Sequence, residues 1–330
     1  STVLVPSHAL EKYPNSLLLG RSLGKRYGIY DVLGIGGFGA VYRAFDYQEN
    51  FDVAVKVIHS GADREGADTK NRFLQEADIL SKLNSEHIVQ VHDFADFGGL
   101  LYMILEFLPG RSLKEILAEG SQLHFERAID ITCQILTGLD HAHAAGLIHR
   151  DLKPGNILVD EAQRDRTKII DFGIAKVLGA SMNDAPKTGT GLVLGTIKYM
   201  APEQLKEVGI IGPQTDLYSV GVMFYEMITG SPPYIGSPAE IAASHLYHPK
   251  PQLPPHLRTP DLIAWFDRVM EKEPAGRFPN ASTMRVTLME SLPDDTITGS
   301  GDSGHLPATV RLDFATQISA ELLGELSDLP

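Results

Sequence analysis

One cysteine, Cys133, in a chain of 330 residues leaves no intrachain disulfide to form, and so points to a reducing compartment, the cytoplasm. No apolar run reaches the ~18 uninterrupted residues that a membrane-crossing helix needs. The first residues lack the basic, apolar and small-residue succession of a signal peptide. Basic residues are also scarce, 29 against 42 acidic ones, for a formal net charge of −13. A surface that acidic disfavours nucleic acid or an anionic membrane as principal partner, because phosphate binding needs clustered Lys and Arg. No internal repeat is present. Ser1 in place of Met carries the expectation that this is an excised piece of a longer protein.

What is present is an apolar fraction of 43%, enough for a substantial core, in a length suited to one two-lobed domain or two ordinary ones. Residues 1–26, with Pro6 and Pro14 and no sustained period, read as an N-terminal extension. From Tyr27 onward, 27–34, 40–46 and 52–58 are β-prone runs separated by glycine-rich or polar turns, which predicts antiparallel strands. In 69–83, Phe73, Leu74, Ala77, Leu80 and Leu83 share one face of a helix, and strand-like runs follow near 87–94 and 100–107. Leu108-Pro109-Gly110 interrupts that pattern and marks a hinge near 106–110. Beyond it, 112–118, 125–145, 215–230, 238–247 and 259–271 carry helical spacing or caps. Cys133, among Ile131, Ile135 and Leu136, reads as a buried helix residue. Residues 293–306, rich in Gly, Ser, Thr and Asp, read as a flexible linker. After it, Leu312, Ala315, Ile318, Leu322 and Leu326 recur at helical spacing, the pattern of an acidic amphipathic tail helix.

The chemistry is concentrated in His149-Arg150-Asp151-Leu152-Lys153-Pro154-Gly155-Asn156, with Asp171-Phe172-Gly173 twenty positions after Asp151. Asp151 can orient a hydroxyl nucleophile, and Lys153 can neutralise charge growing on a transferred phosphoryl group. Asn156 and Asp171 offer the oxygen donors that Mg²⁺ prefers. Singly, each would read as an ordinary turn residue; their joint spacing argues otherwise. Upstream, Gly34-Ile35-Gly36-Gly37-Phe38-Gly39 separates two strand-like runs. Glycines allow close backbone approach to phosphate oxygens, although such hairpins taken alone are more often turns. The order is not that of a P-loop, and a strand follows instead of the helix of a dinucleotide fingerprint. Lys56, in Val53-Ala54-Val55-Lys56-Val57, would ordinarily face outward from its strand. With the glycine loop upstream and Glu76 on the next helix, an ion pair with Glu76 would hold it against the α- and β-phosphates.

These elements, with Ala201-Pro202-Glu203, occur in the order of the eukaryotic-type (Hanks-type) protein kinases, and 27–292 resembles a kinase of the Ser/Thr class. The resemblance implies an α+β bilobal fold: a small N-lobe over 27–107 with five antiparallel strands and one helix, and a larger, mostly helical C-lobe over 108–292. It implies ATP and Mg²⁺, with Mn²⁺ able to substitute. It assigns Asp151, Lys153, Lys56, Glu76 and Thr196 to catalysis and Asn156 and Asp171 to the metal. The nucleotide would be held by Leu33, the loop Gly34 to Gly39 including Ile35 and Phe38, and Lys56. Val41, Ala54 and Leu158 would sandwich the base, with Leu105 as gatekeeper and Glu106 to Leu108 as hinge. Lys153 and the segment Gly195 to Glu203, in which Thr196 would contact Asp151 and Lys153, resemble the Ser/Thr version. The wording from Arg26-Tyr27 to the glycine loop, with Tyr199-Met200-Ala201-Pro202-Glu203-Gln204, is similar to the bacterial branch. Asp216 would anchor the catalytic-loop backbone, and Glu203 would pair with Arg277.

Arg150, before the catalytic aspartate, would grip a phosphate on the loop between Asp171 and Glu203. Of Ser181, Thr188, Thr190 and Thr196 in that loop, Thr188 and Thr190 are the candidate autophosphorylation sites. Gly155, where some basophilic kinases carry an acid, argues against a strict preference for arginine in the substrate, although Glu226 remains as an acidic contact. The expected partners are protein substrates. For 293–330 they are a docking partner, or a phosphothreonine-reading domain recruited through Thr296, Thr298 or Thr309. A binding scaffold without transfer activity is disfavoured because Lys56, Glu76, Asp151, Asn156 and Asp171 are all present. A small-molecule kinase is disfavoured by the peptide platform around Ala201-Pro202-Glu203.

Overall fold

The computed structural model describes residues 18–36, 39–59, 74–75, 77–97, 100–120, 122–172, 197–206 and 209–292. The N-terminal part is a six-stranded sheet in the order β1-β2-β3-β4-β6-β5. Its strands are β1 (Ser22–Leu23), β2 (Tyr27–Gly36), β3 (Gly39–Asp46), β4 (Phe51–His59), β5 (Val91–Phe97) and β6 (Leu100–Glu106), all antiparallel to their neighbours. Five strands are expected from the sequence. The sixth, β1, lies in the stretch read as an extension, where two residues are too few to show a period. It pairs Leu23 with Tyr27, and Leu18 and Leu19 pack beside it. The strand expected near 87–94 runs from Val91, because the His87 carbonyl and the Val89 N–H bond to Ile169 instead.

Strand alternation decides what this sheet offers on each face. In β4, Val53, Val55 and Val57 are buried with Ile29, Tyr42, Ala44 and Ile104 in the sheet's own core. Ala54 and Lys56 fall on the opposite face. Registers Val41↔Lys56↔Met103 and Ala54↔Leu105 place Val41, Met103 and Leu105 there too, and those apolar residues join the core of the helical part. The lysine thus sits on the face that meets the second lobe. Residues 77–82 are helical and bury Ala77 and Leu80, as the spacing over 69–83 predicts; Glu76 lies outside the described residues.

The second part contains α1 (Leu113–Gly120), α2 (Phe125–Ala144), α3 (Pro213–Thr229), α4 (Pro238–Tyr247), α5 (Pro260–Val269) and α6 (Ala281–Glu290). Five match the predicted helices within a few residues; α6 is an addition. A small sheet unforeseen in the sequence joins β7 (Arg111–Ser112), β8 (Ile157–Asp160) and β9 (Arg166–Ile169). Helix α3 starts with proline at its first position and ends at Gly230, whose φ of 77° closes the helix through an N–H bond to the Glu226 carbonyl at 2.7 Å. Its residues 215–224 are buried all round, as suits a helix at the centre of a lobe. Cys133 is buried in α2, where desolvation pushes its thiol up to about 12, so it is inert packing.

The two parts are joined at more than the hinge. Val89 N–H donates to the Ile169 carbonyl and Ile169 N–H to the His87 carbonyl, at 3.0 and 2.9 Å. The segment lies so close to α2 that a Cβ on Gly138 would stand 2.8 Å from the His87 carbonyl oxygen. Only glycine permits that approach.

Candidate active site

The segment from His149 to Asn156 has no regular structure up to Pro154, so its backbone groups need partners from elsewhere. Asp216, 1% exposed in the first turn of α3, supplies them. It accepts the backbone N–H of His149 at 2.8 Å and of Arg150 at 2.9 Å, and also faces His143 Nε2 at 2.8 Å. Gln204 completes the clamp from the other side: its Nε2 donates to the Arg150 carbonyl at 2.7 Å. So held, Arg150 adopts φ 64°, a left-handed conformation that a non-glycine residue reaches only when its surroundings impose it.

His149 is fully buried, and desolvation pushes its imidazole below the ordinary range. Its Nε2 lies 3.0 Å from the Ile170 carbonyl, which only accepts, so the ring proton sits there. Its Nδ1 is then free to accept the Asp151 N–H at 3.3 Å. The ring also packs on Phe172, centroids 4.9 Å apart, which ties the His149–Asn156 segment to the Asp171-Phe172 segment.

Around this frame the predicted polar residues converge. Lys153 Nζ lies 2.5 Å from Asp151 Oδ2, and Asn156 Nδ2 donates to the Asp151 carbonyl at 2.9 Å. Asn156 N–H closes on the Lys153 carbonyl, and its own carbonyl accepts from Ile170 N–H, both at 2.9 Å. Across the cleft, Lys56 Nζ is 2.7 Å from Asp171 Oδ1. Burial opposes ionisation of Asp171, yet the Lys56 ammonium and its hydrogen bond, with Lys153 beyond, hold the carboxyl below its ordinary value. Asp171 too is left-handed, at φ 58°. The expected Lys56–Glu76 pair lies outside the described residues, as do Gly37, Phe38, Thr188, Thr190 and Thr196.

Ala54 and Leu105 are buried on the cleft face, Val41 is partly so, and Leu33 and Ile35 are exposed. Glu106, expected in the hinge, commits its carboxylate elsewhere: Oε1 accepts from Lys168 Nζ at 2.6 Å and from Gln90 N–H at 2.7 Å. Lys168 is buried and also donates to the Ile88 carbonyl, at 3.3 Å. A cavity of about 180 Å³ opens beside this pair, lined among others by Leu108, Gly110 and Leu158. Beneath the site, Arg277 and Glu203 form a buried fork with two bonds of 2.8 Å, and Thr215 Oγ1 adds a third donor to Glu203. His143 and Lys168 carry no signal in the sequence, and Gln204 enters it only as the end of a family-like run, with no contact assigned. Each acts through partners more than fifty residues away, which no local spacing discloses.

Residues 27–278 match the protein kinase domain family. Among curated proteins, the chain is 38% identical over 268 residues to the serine/threonine-protein kinase PknA of Mycobacterium tuberculosis, covering 79% of this chain and 60% of that protein. It is 35% identical over 297 residues to a probable serine/threonine-protein kinase of Streptomyces coelicolor, covering 87% of this chain and 43% of the relative. The chain thus spans about half the length of the curated relatives it matches. Among solved structures, the kinase domain of Mycobacterium tuberculosis PknI superimposes with a TM-score of 0.64 at 24% identity, over 84% of this chain and 99% of that one, a likeness of fold. By its match over 27–278 and its likeness to these kinases, the chain is a member of the protein kinase domain family, of the bacterial Hanks type.

Proposed function

We propose that this chain is an ATP- and Mg²⁺-dependent protein kinase that transfers the γ-phosphoryl group to serine or threonine hydroxyls. The observation that carries the reading is the convergence of Asp151, Lys153, Asn156, Asp171 and Lys56, brought from both lobes, on one cleft. Asp151 accepts or orients the proton of the attacking hydroxyl. Lys153, already against its carboxylate, stabilises charge on the transferred group. Lys56 reaches the α- and β-phosphates.

The donor set fits a hard cation. Asn156 spends its amide nitrogen on the Asp151 carbonyl, so its oxygen is the atom that would serve as a ligand, and Asp171 stays ionised. Mg²⁺ held there would neutralise phosphate charge during transfer. Since the Glu106 carboxylate is engaged by Lys168 and Gln90, recognition of adenine falls to backbone atoms of Glu106 to Leu108. Val41, Ala54 and Leu158 enclose the base, with Leu105 behind it. The glycine loop covers the phosphates, with Glu76 supporting Lys56 in the active arrangement and Thr196 joining Asp151 and Lys153.

Arg150 reads a phosphate on Thr188 or Thr190, which makes transfer conditional on autophosphorylation. Residues 293–330 act as a linker and docking tail, with a phosphothreonine-reading domain as the partner of its threonines. The test of the reading is transfer of radiolabelled phosphate from ATP to generic Ser/Thr peptides by wild type and Asp151→Asn. Transfer by wild type with loss in the variant is expected; equal transfer by both would remove Asp151 from its role. Mass spectrometry after incubation with ATP tests the loop, and an unmodified loop in an active enzyme would remove Thr188 and Thr190.

A further inference from the structure

We infer that His245 is a positioning residue for peptide substrate: from helix α4 it fixes the backbone of the segment on which a substrate would lie. The inference rests on the kinase reading. Within the segment Ile197 to Met200 a single turn bond, Met200 N–H to the Ile197 carbonyl at 3.3 Å, leaves the intervening carbonyls to outside partners. Two successive carbonyls are pinned from different helices, Lys198 by His245 Nε2 at 3.0 Å and Tyr199 by Ser219 Oγ at 2.8 Å. The Tyr199 hydroxyl donates to Glu226 Oε2 at 2.6 Å, a third attachment from α3.

His245 is 0% exposed, in a cluster where Ile197, Met200, Tyr234 and Ile241 are buried and Leu205 packs alongside. A polar ring there costs free energy unless both nitrogens are satisfied. Both are. The Lys198 carbonyl can only accept, so the proton is on Nε2; Nδ1 then accepts from the Tyr218 hydroxyl at 2.9 Å. The rings of Tyr234 and Tyr218 contact the imidazole with centroids 4.9 and 5.7 Å away. The result is one neutral tautomer in one orientation, aimed at one carbonyl. An aliphatic residue would fill the same volume without defining where the Lys198–Tyr199 peptide plane points. That plane sets the direction of the loop next to Ile197 and Met200, hence the surface a peptide meets.

Two substitutions separate positioning from packing. Glutamine reaches as far as Nε2 and keeps a donor for Lys198; asparagine reproduces only the nearer, Nδ1 position. His245→Asn is expected to raise KM for a generic Ser/Thr peptide about tenfold, the size of one buried hydrogen bond. Its KM for ATP should stay within about twofold, and His245→Gln should resemble wild type in both. A merely structural residue would give two variants that shift both constants alike; that result, or an unchanged peptide KM in H245N, overturns the inference. If H245N does not fold, Tyr218→Phe removes only the donor that fixes the tautomer. It is expected to raise peptide KM about threefold with ATP KM constant, and no rise overturns the inference. Should wild type transfer no phosphate at all, the kinase reading itself fails. Hydrogen exchange then still decides: amides of 198–200 are expected to exchange faster in H245N than in H245Q, and equal rates refute the role of His245.

Discussion

Lys56 and Asp171, 115 residues apart in sequence, are joined at 2.7 Å, Nζ to Oδ1, and their contact spans the cleft between the sheet and the helical lobe. The side chains keep 20% and 36% of their exposure, so water screens the pair and its contribution to stability is small. Its importance is positional. Lys56→Met and Asp171→Asn are each expected to lower phosphoryl transfer by about a hundredfold or more, with thermal unfolding shifted little. Lys56→Arg should not rescue transfer, because a planar fork does not replace a compact ammonium. Peptide phosphorylation beside calorimetry checks all three.

Glu203 and Arg277 present the opposite case, a pair 4% and 0% exposed. Glu203→Gln leaves a buried guanidinium without its anion and should cost about 3–5 kcal/mol. The double variant Glu203→Gln with Arg277→Met should cost less than the two single changes added together. Burial opposes ionisation of Glu203, but Arg277 holds its carboxyl below the ordinary value of 4.5. The unfolded chain therefore takes up this proton first on acidification. The pair's contribution is complete above pH ~4.5 and is lost as pH falls through the lower folded value. Urea unfolding between pH 7 and pH 3 should show that loss in wild type and a flatter profile in E203Q.

His245 titrates in the same sense at higher pH. Desolvation pushes it down to about 4 from an ordinary value of 6.5, with the Lys198 bond opposing that and Lys272 adding to it. Between these values the unfolded chain binds a proton that the folded one refuses, so stability declines from pH 6.5 toward 4 and levels below. Part of that decline should disappear in His245→Gln; a profile identical to wild type would contradict it.

Lys168 ties the Glu106 side chain to the Ile88 carbonyl from a nearly buried position. Lys168→Met should destabilise by about 3 kcal/mol, since Glu106 loses its cation. KM for ATP should rise, because Glu106 to Leu108 lose their anchor. A variant with unaltered stability would show that the pair is dispensable.

Helix α3 holds Phe224 against Phe125, Trp265 and Phe266, centroids 5.2 to 6.5 Å away. Phe224→Ala should cost about 3–5 kcal/mol by opening a cavity at the centre of the lobe. Denaturant midpoints measure it, and a loss below about 1 kcal/mol would mean that the site collapses around the gap.

The strong periods made most of the fold legible: alternation in 52–58 predicts β4, and helical spacing or caps predict five of the helices. Elements of two to four residues, such as β1, β7 and the β8–β9 pair, escaped because they are too short to carry a period and form through partners. Helix α6 escaped because Val286 and Met289 lie off the face that buries Ala281, Met284 and Leu288, which blurs its apolar stripe. The anchor Asp216 and the Glu203–Arg277 pair were expected through resemblance, and both contacts are present. Gln204, Lys168 and His245 carry no such signature, since a lone polar residue reads the same whether it faces solvent or a buried carbonyl.

The residue types and their spacing determined by themselves the class of chemistry, the lobes and the polar groups at the centre of the cleft. That is so because phosphoryl transfer demands particular donors in a fixed order along strand, helix and loop. Tertiary structure alone decided which groups those donors touch. Lys56 meets Asp171, Glu106 turns to Lys168, and the backbone of Lys198 and Tyr199 hangs from His245 and Ser219. Such pairings depend on distances between residues far apart in sequence, and those distances are set by packing, not by any local pattern.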